Sequence, residues 1–166
     1  MKDYPDLKEK YRVTERNLLL LILLPLPFFV MVYLNLTKPV RTFNIPEIPE
    51  AINPFLVALS LALLMFQQIN FRKNIQNLKV TGVSFESKIS GYLKATTVRY
   101  VIFAIVGFIA AFGLLFFGSV GFVILYAIVL ILVSVLKPSS NRIVRIFKLK
   151  DAEKEFVNQI HRSYTE

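Results

Sequence analysis

The stretch from Tyr100 to Leu136 contains no Asp, Glu, Lys, Arg or His. It divides at Gly118-Ser119 into two apolar halves, Tyr100–Phe117 and Val120–Leu136. At about 1.5 Å rise per residue, each half crosses most of a hydrocarbon layer about 30 Å thick. In lipid the backbone N–H and C=O groups must be satisfied internally, which leaves helices or closed barrels. Nothing here alternates with period two, so the stretch predicts a transmembrane helical hairpin. A turn as short as Gly-Ser makes its two helices antiparallel neighbours.

Two earlier apolar runs, Leu18–Leu34 and Pro54–Phe71, read the same way. The chain is 55% hydrophobic, where a soluble domain has about 45–50%. The prediction is an all-α integral membrane protein with four transmembrane helices, at about 18–34, 54–71, 100–117 and 120–136, and cytoplasmic amphipathic helical extensions. Residues 1–166 form one membrane domain, with a tail over 137–166. The run Leu18–Leu34 is longer than a signal-peptide core and no small-x-small site follows it, so it reads as a retained span.

Pro25 and Pro27 fall in the middle of the first span. Each removes a backbone donor and crowds the preceding turn, which predicts a kink. The structural reading is a simple bend; the functional one is a broken helix at a transport site. Asn35–Asn53 is a Pro-rich connector. Asn53 is placed to cap the second span, with Pro54 at its first position. Gln67, Gln68 and Asn70 lie at the far end of that span, before Arg72 and Lys73. Such amides either mark the headgroup boundary or hydrogen-bond across helices at about 0.6–2 kcal/mol each.

Ser84 followed by Phe85, Ile89, Tyr92 and Leu93 predicts that the third helix starts near Ser84, with an amphipathic leg at the interface. A docking face for a soluble partner is the alternative. Within the third span Ala104, Gly107 and Ala111 make a small-residue stripe, with Gly113 on a neighbouring face. Small residues let backbones approach closely, so these four are candidate helix-packing positions. After Lys137-Pro138 the cations Arg142, Arg145, Lys148 and Lys150 interleave with Ile143, Val144, Ile146, Phe147 and Leu149. That pattern predicts a short helix contacting anionic lipid, or else a tail that binds another subunit. Asp151 is placed to cap a last helix, and His161 beyond it reads as solvated.

The chain holds 20 Lys and Arg residues. Only Lys38 and Arg41 fall between the first and second spans and none falls in the Gly-Ser turn; the rest lie on the other side. The positive-inside rule places both termini and the middle connector in the cytoplasm. The net charge of +9 is thus explained by membrane flanks, and nucleic acid is not an expected partner.

There is no cysteine, hence no thiolate metal site. The spans carry no ionisable residue, the usual mark of an ion pathway. No carboxylate pair, nucleophile–His–acid set or phosphate loop occurs. The expectation is a protein that is not an enzyme, with no cofactor and no metal.

The segment Lys88-Ile-Ser-Gly-Tyr-Leu-Lys-Ala-Thr-Thr-Val-Arg99-Tyr100, the span after it, and the tail from Lys137-Pro138-Ser139 to Leu149-Lys150-Asp151-Ala152-Glu153 resemble an uncharacterised group of small four-span bacterial inner-membrane proteins. Members often carry Arg-Trp and an early glutamate in the third span; this chain has Arg99-Tyr100 and no such glutamate. The resemblance implies a four-helix membrane fold in a bacterial inner membrane and brings no activity with it. The expected function is an accessory or scaffolding subunit. It would pack among membrane lipids against other membrane-protein subunits or itself. The alternative is a small channel or carrier for an uncharged or lipid-like solute, built on Pro25, Pro27, Gln67 and Gln68. A third reading is lipid binding through the basic tail.

Overall fold

A computed structural model describes residues 5–37, 48–80, 82–149 and 153–157. Among these residues the chain is helical, with no strand. Six helices follow in order: α1 Pro5–Leu23, α2 Pro25–Leu36, α3 Ile52–Leu78, α4 Phe85–Phe117, α5 Val120–Val135 and α6 Ser140–Phe147. Residues 153–157 add a further helical turn.

Three stretches are long and apolar enough to cross a membrane: Glu9–Leu36, Ile52–Leu78 and Phe85–Phe117. The α5 helix is apolar but has 16 residues, about 24 Å, so it is the shortest of the four predicted spans.

The α4 helix is the hub, packing against α1, α2, α3 and α5. Ser84 starts it: its hydroxyl accepts from the Ser87 N–H at 3.3 Å. Gly118 ends it at φ +58°, a left-handed conformation that costs glycine little, and donates its N–H to the Leu114 carbonyl. Ser119 then caps α5, accepting from the Gly121 N–H. Two residues thus reverse the chain.

The α1 and α2 helices part at Leu24, although its dihedrals stay helical (φ −63°, ψ −45°). Pro25 and Pro27 have no N–H to offer the preceding turn, so the hydrogen-bond ladder lapses while the chain continues. The α3 helix begins at Ile52, one residue before the expected Asn53 cap. A backbone turn starts it instead, with Ile52 and Asn53 donating to the carbonyls of Pro49 and Glu50.

Two apolar cores are stacked along α4. The first joins Phe29, Val32, Leu64, Phe103, Val106, Ala110, Phe122 and Val129. The second joins Leu7, Tyr11, Phe71, Ile75, Ile89, Tyr92, Leu93 and Ile143. The 33 residues of α4 measure about 50 Å, well beyond one hydrocarbon layer. The excess is the N-terminal part of α4, and the second core surrounds it.

A buried cation between two cores

Polar groups lie where the two cores meet. Along α3 they fall between Leu64 of one core and Phe71 of the other. Along α4 they fall between Ala95 and Tyr100. Arg99 is the centre, only 3% exposed. Its Nε donates to Gln67 Oε1 at 3.0 Å and its Nη2 to Gln68 Oε1 at 2.7 Å. The guanidinium carbon lies 3.5 Å from the centre of the Phe71 ring. Gln67 and Phe71 are four residues apart, so one face of α3 presents an amide and a ring to the same cation.

Among the described residues no carboxylate pairs with Arg99; its partners are neutral oxygens and a π-face. Arg72 and Arg142 are close enough to repel it. Hydrogen bonds to a charged group contribute about 1.5–3 kcal/mol each, and a cation–π contact about 0.5–2 kcal/mol. These offset the desolvation of a buried guanidinium, which costs several kcal/mol. The planar fork of Arg suits this site, since it holds two oxygens in one plane and lays its face on a ring, where a Lys ammonium has donors but no planar face.

Neighbouring polar groups serve the backbone. Thr96 and Thr97 donate to the carbonyls of Tyr92 and Leu93 one turn back. Arg142 Nη1 donates at 3.3 Å to the Val135 carbonyl at the end of α5. Glu15 Oε2 on α1 is buried without a hydrogen bond. No group of three or more His, Cys, Asp or Glu residues able to hold a metal occurs among the described residues. The arrangement fixes α3 in register on α4.

Ala104 and Ala111 are buried in the seam of α4, and Gly107 between them faces Pro25. A Cβ on Gly107 would stand 3.2 Å from Pro25 Cγ and 3.5 Å from Tyr126 Cε2. Gly113 lies against the Phe122 ring, which occupies the space a Cβ would need. All four small residues therefore sit at intramolecular contacts. Pro25 is buried and Pro27 exposed. The space beside Pro25, Gly107 and Tyr126 is about 10 Å³, about one water-sized probe.

In the tail, Ser139 caps α6, accepting from the Arg142 N–H, and Lys148 ends it at φ 50°. Ile143 is fully buried in the second core, and Val144, Ile146 and Phe147 pack against that core. The apolar side of α6 is thus covered by protein. Arg145 and Lys148 are exposed and Arg142 is half-buried. Lys150, Asp151 and His161 lie outside the described residues, as do Lys38 and Arg41 of the connector.

Arg99 itself was not legible as a site residue. Counted along the chain it flanks the third span; only the register of α3 on α4 buries it. The available signal was Gln67 and Gln68, five and four residues before Arg72, facing a cation at the start of the next apolar run.

No protein-family model, no curated protein and no solved structure matches the chain.

Proposed function

We propose that this protein is an accessory or scaffolding subunit of a bacterial inner-membrane complex, formed with other membrane proteins or with further copies of itself. The open side of α3 carries this reading. Half of the apolar window of α4 is buried, but under a fifth of that of α3. The α3 helix packs along α4 and touches α5 at only a few positions. Phe55, Met65 and Phe66 project from it, each at least 60% exposed. A helix in a closed bundle has two good neighbours; here the second would come from another chain.

The same reading places four passes in the membrane, with both termini cytoplasmic. It rests on the distribution of Lys and Arg and on the three long apolar helices. A local bilayer thinning of a few ångström accommodates the shorter α5. Arg99 and its amides then lie at the inner edge of the hydrocarbon, and Arg145 and Lys148 face the anionic leaflet. No catalytic role is assigned to any residue.

The carrier reading stands second. It draws on Pro25, Pro27, Gln67 and Gln68. Pro25 is engaged in packing on Gly107, and both amides are engaged in holding Arg99.

Photo-crosslinkers placed singly at Phe55, Met65 and Phe66 in living cells test the proposal. One discrete protein adduct, shared by the α3 positions and missing from Ile131 on α5, is the expected result. Adducts to lipid alone at all three positions would overturn it.

A further inference from the structure

Beyond the accessory role, α3 and α4 leave a groove between them at the charged end of the bundle. Its volume is about 320 Å³, within the range of small-molecule sites, about 300–1,000 Å³. Asn74 and Asn77 line it from α3 and Lys94 from α4. Leu78 and Val98 give it an apolar wall.

The polar lining is rich in donors. Lys94 is exposed, and no described residue pairs with it. Asn74 and Asn77 continue a stripe that starts at Asn70, whose Oδ1 accepts from Asn74 Nδ2 at 3.5 Å. No carboxylate lines the groove. One ammonium beside two amides suits an anion with several oxygens, and a phosphate has that shape and charge.

Position decides which phosphate. Met65, Phe66 and Ile69 of α3 are exposed apolar residues. Asn74 follows Ile69 by about 7 Å along the helix, the depth of one headgroup region. Val98, 41% exposed, lies on the membrane side of Lys94 by about one turn. The groove is therefore polar at headgroup level, with Val98 on its hydrocarbon side and Leu78, beside Gly91, at its outer end. Free phosphate would have no use for the apolar Val98 side, which an acyl chain would cover.

We infer that this groove binds the phosphate-bearing headgroup of an anionic phospholipid, with Lys94 as its counter-charge and Asn74 and Asn77 as hydrogen-bond donors. The inference rests on the membrane reading and is independent of the accessory role.

The test is native mass spectrometry of the full chain, delipidated in mild detergent and offered equal amounts of phosphatidylglycerol and phosphatidylcholine. One phosphatidylglycerol should be retained per chain, with a preference of about fivefold, the effect of one Lys beside an anionic surface. Lys94→Gln and Asn77→Leu should bring the preference near parity. Lys94→Arg should keep it, and Lys137→Gln, an exposed cation at the other side of the tail junction, should leave it unchanged. Helical content and melting temperature, measured on the same samples, separate lost folding from lost binding. If Lys94→Gln fails to fold, Asn77→Leu, at an exposed position, decides alone. Parity in the folded wild type would overturn the inference. So would an equal loss in Lys137→Gln, which would mean diffuse attraction. Full displacement of the lipid by millimolar inorganic phosphate would also overturn it, assigning the groove to the free anion.

Discussion

The guanidinium of Arg99 stands 3.5 Å from the centre of the Phe71 ring, one turn of α3 beyond the Gln67 amide that accepts from its Nε. A cation is thereby buried between two apolar cores, with only neutral partners among the described residues. Such a group is expensive to hold in the wrong place, so it specifies one register of α3 on α4. Slipping α3 by one residue would turn Gln67 and Phe71 away from Arg99 together.

This makes a clear expectation for the amides. Gln67→Leu leaves a buried guanidinium nitrogen unpaired and should destabilise the protein by about 1.5–3 kcal/mol. Gln68→Leu should cost less, because Gln68 is half-buried and water can replace it. Arg99→Leu combined with Gln67→Leu should cost less than the two single losses added together, since both partners leave at once. Unfolding in mixed micelles, run as a double-mutant cycle, measures all four terms.

The close approach at Gly113 predicts a graded response along α4. Gly113→Ala puts a methyl group into the space of the Phe122 ring, which is itself fully buried. Overpacking of this kind costs about 1–3 kcal/mol. Gly107→Ala meets Pro25 and Tyr126 at 3.2 Å or more and should cost less. Adding Phe122→Leu to Gly113→Ala should restore part of the loss, where adding it to the wild type should only destabilise. Melting temperatures in one detergent suffice to check the order.

Burial of Ile143 in the second core predicts that α6 is held by protein. Ile143→Ala should cost about 2–5 kcal/mol at the site and expose the tail to limited proteolysis near Lys137. Arg145→Gln, on the exposed side, should leave cleavage unchanged. If α6 were held by lipid alone, removing the bilayer would release the wild-type tail as readily as the variant.

Much of this was readable from the residues, and the misses have physical causes. The uncharged run up to Leu136, with no period-two alternation, pointed to the α4–α5 helical hairpin, and Gly118 supplies its left-handed turn. The apolar spacing of Phe85, Ile89, Tyr92 and Leu93 pointed to a start of α4 near Ser84, and the Ser84 hydroxyl caps it there. The start of α3 was less legible: a backbone turn at 49–53 replaced the side-chain cap at Asn53. The role of Arg99 depends on which face of α3 meets α4, and a charge count along the chain carries no such information. The tail was ambiguous for another reason. A basic amphipathic helix has the same sequence pattern whether lipid or protein covers its apolar side, and only the fold shows Ile143 among Leu7, Tyr92 and Leu93.

The most direct test of the accessory reading is the mass and composition of the native particle, isolated in mild detergent through a tag on the C-terminus. The expected particle is a stoichiometric assembly, with a second membrane protein or with further copies of this chain, that is lost when Phe55, Met65 and Phe66 are replaced together by Ala. A particle of one chain only, unchanged by those replacements, would contradict it.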